Sequence, residues 1–206
     1  MIKVLTETVG VMNCNCYIIY DTNSKDAFII DAGDDAELLI NKINSIGLTP
    51  KAIISSHGHF DHNMAVFEIQ TCFNIPFFIS EKDVFLLNSI NNSAKYYINI
   101  DDVIIPKPSK YLTAGQKFDL GNSYFYIIDL PGHTPGGIGF YNPAEEMMFS
   151  GDVIFKHGAT GRYDFSYSSK NKLLKSIDKI LKLPENTVIY TGHGEPTHVK
   201  SEIAYY

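Results

Sequence analysis

Between Ser55 and Asn63 the chain reads SSHGHFDHN, which places three histidines and an aspartate in the six positions from His57 to His62. The whole protein has seven histidines, and the stretch follows directly on the apolar run Ala52-Ile53-Ile54. In extended backbone, residues i and i+2 point the same way. His57 and His59 can therefore grip one ion together, while Asp61 and His62, where the chain turns toward a helix, can face a second. A metal centre needs several deprotonated nitrogen, oxygen or sulfur ligands within about 2.0–2.3 Å of one ion. Half such a set is written in this one loop. The competing reading is a polar turn in which Asp61 caps the helix that follows.

A fold that uses this loop has to bring the remaining ligands to it, and three candidates stand at the ends of apolar runs. His133 lies in Leu130-Pro131-Gly132-His133-Thr134, after Tyr124–Asp129. Asp152 lies in Ser150-Gly151-Asp152, after Met147–Phe149. His193 lies in Tyr190-Thr191-Gly192-His193-Gly194, after Val188–Tyr190. Each has a glycine beside it, where the backbone can approach a neighbour closely. With the first loop they make five histidines and two aspartates, enough for two ions.

The element pattern supplies the scaffold. Strand-like runs at Ile2–Val9, Cys16–Tyr20 and Ala27–Asp31 precede a helix capped by Asp34, with Leu38, Leu39, Ile43 and Ile46 on one face and an end at Gly47. Ala52–Ser55 reads as a buried strand, His62–Phe73 as a helix, Pro76–Ile79 as a strand and Glu81–Asn88 as a helix. Asn91–Lys110, Asn-rich at its start and carrying Pro106 and Pro108, reads as a loop or flap. Strands resume at Gln116–Leu120, Tyr124–Asp129, Gly137–Tyr141 and Met147–Phe149, and Thr187–Thr191 follows an amphipathic helix at Ser168–Leu181. Two similar strand-rich halves thus meet near residue 110 with no linker between them. The expectation is one domain over residues 1–206, with two packed sheets and helices outside.

Bulk properties narrow the function classes. The net charge of −6 opposes a broad nucleic-acid-binding face. No apolar run approaches the roughly 18–20 residues that span a bilayer, and the first residues, MIKVLTETVG, lack the apolar core of a signal peptide. Cys14, Cys16 and Cys72 are odd in number, which points to a reducing compartment and hence the cytoplasm. Sixteen lysines stand against one arginine, Arg162.

The order HGHFDH, PGHT, SGD, TGHG resembles the metallo-β-lactamase fold hydrolases, and most of all their short glyoxalase II-like branch. The resemblance extends to Asn15-Cys16-Tyr17-Ile18, Ile30-Asp31-Ala32-Gly33 and Gly161-Arg162-Tyr163-Asp164. It implies an α/β fold, an αββα four-layer sandwich of two mixed sheets with helices outside and the site along one sheet edge. It also implies that His57, His59 and His133 hold one metal, that Asp61, His62 and His193 hold the other, and that Asp152 bridges them. Tyr163 departs from the threonine usual after the family's arginine.

Two divalent ions can share a hydroxide, because each lowers the pKa of bound water toward about 7. That hydroxide attacks an ester, thioester or amide carbonyl, with Asp61 and Asp152 acting through the metals. Zinc suits the donor set, and iron and manganese suit it too. The function expected is a cytoplasmic glyoxalase II-like thioesterase acting on a small thioester such as an S-acylglutathione. Full-length glyoxalase II enzymes carry a C-terminal helical domain that helps hold glutathione; here about a dozen residues follow His193.

A persulfide dioxygenase of the same fold is the alternative, with one iron on counterparts of His57, His133 and Asp152. Gly192-His193-Gly194-Glu195 favours the hydrolase, since the dioxygenases usually have Ala-His-Asp there. A lactonase is a further alternative. Arg162 either pairs with a helix or anchors a substrate carboxylate through its guanidinium fork, with Tyr163 beside it in the substrate region. Cys16 is expected to pack as a small hydrophobe, His157 to lie near the cleft and His198 at the surface, neither as a ligand.

Overall fold

A strand buried along its whole length must be covered on both faces, and Cys14–Asp21 is buried at all eight positions. The computed structural model describes residues 1–206 and shows what covers it. The first sheet runs in sequence order through β1 (Ile2–Val9), β2 (Cys14–Asp21), β3 (Asp26–Ile30), β4 (Thr49–Ile54), β5 (Phe77–Ile79) and β6 (Lys110–Tyr111). Its first two pairings are antiparallel and its last three parallel. The second sheet holds β7 (Lys117–Leu120), β8 (Ser123–Asp129), β9 (Ile138–Asn142), β10 (Met147–Gly151), β11 (Val188–Thr191) and β12 (Thr197–His198), antiparallel except for β10 against β11.

Period-2 alternation sorts the side chains into layers. In β2, Cys14, Cys16, Ile18 and Tyr20 join an outer core with Leu39 and Ile43 of α1 (Ala36–Ile46), Val66 and Ile69 of α2 (Val66–Phe73), and Leu87 of α3 (Val84–Leu87). Tyr17 and Ile19 point the other way, into a core shared by Phe28, Ile30, Ile54 and Phe78 of the first sheet with Phe125, Ile127, Phe140 and Phe149 of the second. The second sheet's outer face packs Met148 and Ile189 on Leu173, Ile177 and Ile180 of α5 (Lys170–Leu181), with Val199 at the start of α6 (Val199–Glu202); the helix Ile90–Ile98, α4, lies between α3 and β6 in chain order. The result is two mixed sheets flanked by helices, an αββα sandwich. Burying each large apolar side chain contributes about 1.5–3 kcal/mol.

Several local expectations are corrected. Asp34 does not cap α1: the N-cap is Asp35, left-handed at φ 52°, and its side chain instead accepts from Gly10 N at 2.9 Å. The buried face of α1 is Leu39 and Ile43, and Leu38, about 100° round the helix, is half-exposed. No continuous helix runs from His62. A 3₁₀ turn spans Phe60–His62 and α2 begins only at Val66. Most of all, the expected flap Asn91–Lys110 opens with α4. Its Asn-rich start has poor helix propensity, but Ile90 and Ala94 pack into the outer core and override it.

Candidate metal centre

The loops that follow β4, β8, β10 and β11 open onto one edge of the sandwich, where the seven nominated side chains meet. Ligand atoms of His57, His59 and His133, of His57, His62 and Asp152, and of Asp61, His62 and His193 form three groups, each within 4.8 Å. His57 Nε2 is 3.0 Å and His133 Nε2 2.9 Å from His59 Nδ1, and His62 Nε2 is 3.2 Å from His193 Nε2. The Asp152 carboxylate reaches both sides: Oδ1 is 3.6 Å from His62 Nε2, and Oδ2 is 3.6 Å from both His133 Nε2 and His193 Nε2. Asp61 Oδ2 lies 3.4 Å from His193 Nε2.

The outer nitrogens decide what these contacts are. His133 Nδ1 donates to Arg162 O at 2.7 Å and His193 Nδ1 to Asn13 O at 3.0 Å, because a carbonyl only accepts. His62 Nδ1 donates to Asp31 Oδ2 at 3.1 Å. The Ser56 hydroxyl donates its one proton to Asp31 Oδ2 at 2.7 Å, so at 3.0 Å it accepts from His57 Nδ1. Four imidazoles are thereby held with Nδ1 on an outer partner and Nε2 turned inward, and in their neutral form such inward nitrogens about 3 Å apart suit a cation between them. Two ligands on one tetrahedral ion at roughly 2.0–2.1 Å stand about 3.3 Å apart, close to the spacings here. Asp152 Oδ1 is buried without a hydrogen-bond partner. The donor set fits a pair of divalent ions.

Charge runs the same way. Burial and the neighbouring imidazoles drive His57 well below the ordinary range, and burial with His133 beside it takes His59 to about 3. Neutral imidazole is the form that binds a metal. Burial opposes ionisation of Asp61, but His62 and His193 together hold its carboxyl below the usual range. At His62 burial is outweighed by Cys14 and the carboxylates of Asp152, Asp61 and Asp31, and at His193 by Asp61 and Asp152. That side of the cluster attracts positive charge.

Several positioning residues were not nominated from the sequence, although Asp31 and Asn63 lie in stretches quoted above. Asp31 accepts from Ser56 N and Ser56 Oγ, both at 2.7 Å, as well as from His62, and so orients an imidazole on each side. Asn63 Nδ2 donates to the carbonyls of His57 and His59 at 3.0 and 2.7 Å. Asp83, fully buried, accepts from Gly58 N, Gly136 N and Thr134 Oγ1 at 3.1, 2.6 and 2.6 Å, clamping the His57–His59 loop to the His133 loop. Tyr167 OH is 2.8 Å from His59 Nε2. Of the glycines beside the strand-end residues, Gly192 serves the cluster most directly: a Cβ there would lie 2.0 Å from Asp152 Oδ1.

The remaining nominated residues sort as follows. The Arg162 guanidinium is bidentate on Asp164, at 2.9 and 2.8 Å, so its partner is a neighbouring loop residue and not a helix. Arg162 lines the cavity above the cluster, whereas Tyr163 stands outside that lining with Lys170 Nζ 5.3 Å from its ring centre. His157 also lies outside it, exposed and beside Tyr205. Cys16 packs in the outer core. Cys14 Sγ is 3.3 Å from His62 Nδ1, on the outer side of that ring and apart from the three ligand groups, and burial pushes its thiol up to about 12.

A profile of the metallo-beta-lactamase superfamily matches residues 9–193. The chain belongs to that superfamily. A relative within reach of it is the hydroxyacylglutathione hydrolase GloC of Haemophilus influenzae, 37% identical over 193 residues, covering 91% of this chain and 89% of that protein. Among superfamily structures, the BLEG-1 B3 metallo-beta-lactamase superposes with a TM-score of 0.88 at 34% identity, covering 99% of this chain and 97% of its own. TTHA1623, solved in a di-iron-bound form, gives 0.87 at 31% identity with 97% of each chain covered. The superfamily fold and a dinuclear-type arrangement of donors are thus found together. No helix is long and apolar enough to cross a membrane.

Proposed function

We propose that this chain is a dinuclear metallohydrolase that cleaves thioesters, of the glyoxalase II-like kind, on a small substrate such as an S-acylglutathione. The observation that carries the proposal is the convergence of imidazole lone pairs and two carboxylates at the floor of a cavity of about 710 Å³, within the range of small-molecule sites. The Haemophilus relative, by its name, supports the choice of thioester. His57, His59 and His133 would hold one ion, Asp61, His62 and His193 the other, and Asp152 both. Zinc suits these donors; the di-iron form of TTHA1623 makes iron the next metal to test, and manganese follows. When bound, such ions supply a Lewis acid for the carbonyl and a water activated near neutral pH.

The chain's own groups do the positioning. Asp61, held ionised by His62 and His193, orients the attacking water through a hydrogen bond. His133 and His193 are fixed by the carbonyls of Arg162 and Asn13. A thiolate leaves without a strong protein acid, since a free thiol has a pKa of only about 8.5. No cysteine nucleophile is invoked, as Cys14 sits protonated beneath His62. The odd cysteine count supports a cytoplasmic setting.

The experiment is elemental analysis of the purified protein beside a panel of a thioester, a persulfide, a lactone and a chromogenic β-lactam. Two ions per chain and thioester turnover that a chelator removes and added metal restores are expected. One iron per chain with oxygen uptake on the persulfide would replace the proposal with the dioxygenase. The likeness to BLEG-1 favours β-lactam opening as the second reading, and turnover of the β-lactam alone would establish it.

A further inference from the structure

The cavity has an aromatic wall whose rings, apart from the Tyr167 hydroxyl at His59, have no task in holding the ligands. Phe60 and Tyr97 are stacked at 5.8 Å and 4°, and Phe165 and Tyr167 at 5.2 Å and 12°. All four line the cavity. Phe165 stands edge-on to His59 at 5.3 Å and to His133 at 6.1 Å, so the wall begins at the ligand cluster itself. Phe155, also in the lining, stands edge-on to His193 at 6.2 Å.

Charge on the walls is spoken for. Arg162 is the one lysine or arginine in the lining. Its Nε and Nη2 lie on Asp164, and its Cζ stands 4.5 Å over the Phe165 ring. A substrate carboxylate would meet a guanidinium whose charge Asp164 already balances, with only its Nη1 side left to donate. A flat apolar group displaces nothing. Aromatic rings gain from edge and offset contacts beyond their burial, and the four stacked ones line this cavity.

We infer that the substrate carries a flat, uncharged aromatic group beside the reacting carbonyl, held against Phe60, Tyr97, Phe165 and Tyr167, and that carboxylates on the thiol carrier are not read. The inference rests on the thioester proposal and narrows its substrate class. Metal-replete protein is to be assayed on three matched thioesters: phenylacetyl and succinyl N-acetylcysteamine, and phenylacetyl glutathione. The phenylacetyl compound should exceed the succinyl one in kcat/KM at least tenfold, with the two phenylacetyl carriers within threefold of each other. Tyr97→Ala, at a half-exposed position tolerant of truncation, should cut the phenylacetyl-to-succinyl ratio at least fivefold, mainly through KM.

Turnover of the succinyl or the glutathione compound in clear preference, or a ratio unmoved by Tyr97→Ala, would overturn the inference. If no thioester is turned over, the thioester proposal fails and binding decides the wall separately. The 2-phenylethyl thioether of N-acetylcysteamine should then bind, by calorimetry, at least tenfold tighter than its carboxyethyl counterpart. Equal or reversed affinities would overturn the aromatic subsite as well.

Discussion

Asp152 is the side chain with most to lose when no cation is near. Its Oδ1 is buried and partnerless, and its two oxygens stand 3.6 Å from imidazoles on both sides of the cluster. The proposed bridging role predicts that Asp152→Ala abolishes thioester turnover and lowers bound metal below two ions. Without metal the variant loses the attraction of Asp152 for His62 and His193 but also sheds the cost of a buried acceptor without a hydrogen bond, about 1–3 kcal/mol, so it should melt near the metal-free parent. Calorimetry, elemental analysis and turnover on one preparation check this, and unchanged turnover would rule out the bridge. Asp83 is the complementary case, a buried carboxylate with three donors on it. Asp83→Asn turns an NH2 group toward one of them. Loss of an outer partner of this kind typically costs about 10–100-fold in metal affinity, and chelator competition should find that loss confined to one of the two ions. An equal loss at both would mean general unfolding of the edge.

At the level of elements, α4 teaches most, because local pattern argued against it. Asn91-Asn92-Ser93 is a weak helix start, yet the same Asn91 makes the helix's most specific contact: Nδ2 donates to Val103 O at 3.0 Å and Oδ1 accepts from Val103 N at 2.9 Å. That pair pins the segment after α4 against it, and Ser93 and Tyr97 are thereby presented to the cavity. Asn91→Ala should cost about 1–3 kcal/mol, read as a lower denaturant midpoint, with faster hydrogen exchange at the Val103 amide. Exchange at Val103 unchanged from the parent would mean that Asn91 is dispensable and packing of Ile90 and Ala94 suffices. The helices with clear apolar faces, α1 and α5, were legible in the sequence, since burial on one side leaves a 3.6-residue period. In α4 the same period is present in Ile90, Ala94 and Ile98, but the poor helix formers Asn91, Asn92 and Ser93 between them mask it.

Across the molecule, the candidate centre sits where the two sheets are tied together. Cys14 bridges His193, Asn15 N donates to Gly192 O at 2.8 Å, and Tyr17 OH donates to Thr191 O at 2.6 Å. Ligands from the first sheet's loops thus meet His193 from the second across a hydrogen-bonded seam, and bound metal should brace both. Each site with metal at a hundred times its dissociation constant stabilises by about 2.7 kcal/mol, so two filled sites give about 5.4 kcal/mol, which for a chain of this size is roughly 10–20 °C in Tm. Chelation should lower Tm by that amount and re-addition restore it; an unchanged Tm would mean that no metal binds the folded chain. Local pattern alone was enough to nominate the clustered residues and the layered sheets: H-x-H-x-D-H is a short-range motif, and alternation in a strand reports directly which faces are covered. The outer partners of the imidazoles are another matter. Asp31 reaches His62 across 31 positions and Asn13 reaches His193 across 180, and no periodicity links residues so far apart. Which nitrogen of each ring faces inward, that Arg162 spends its fork on Asp164, and that the cavity wall is aromatic all follow from chain segments meeting in space, where backbone carbonyls and buried carboxylates find donors that the order of residues does not specify.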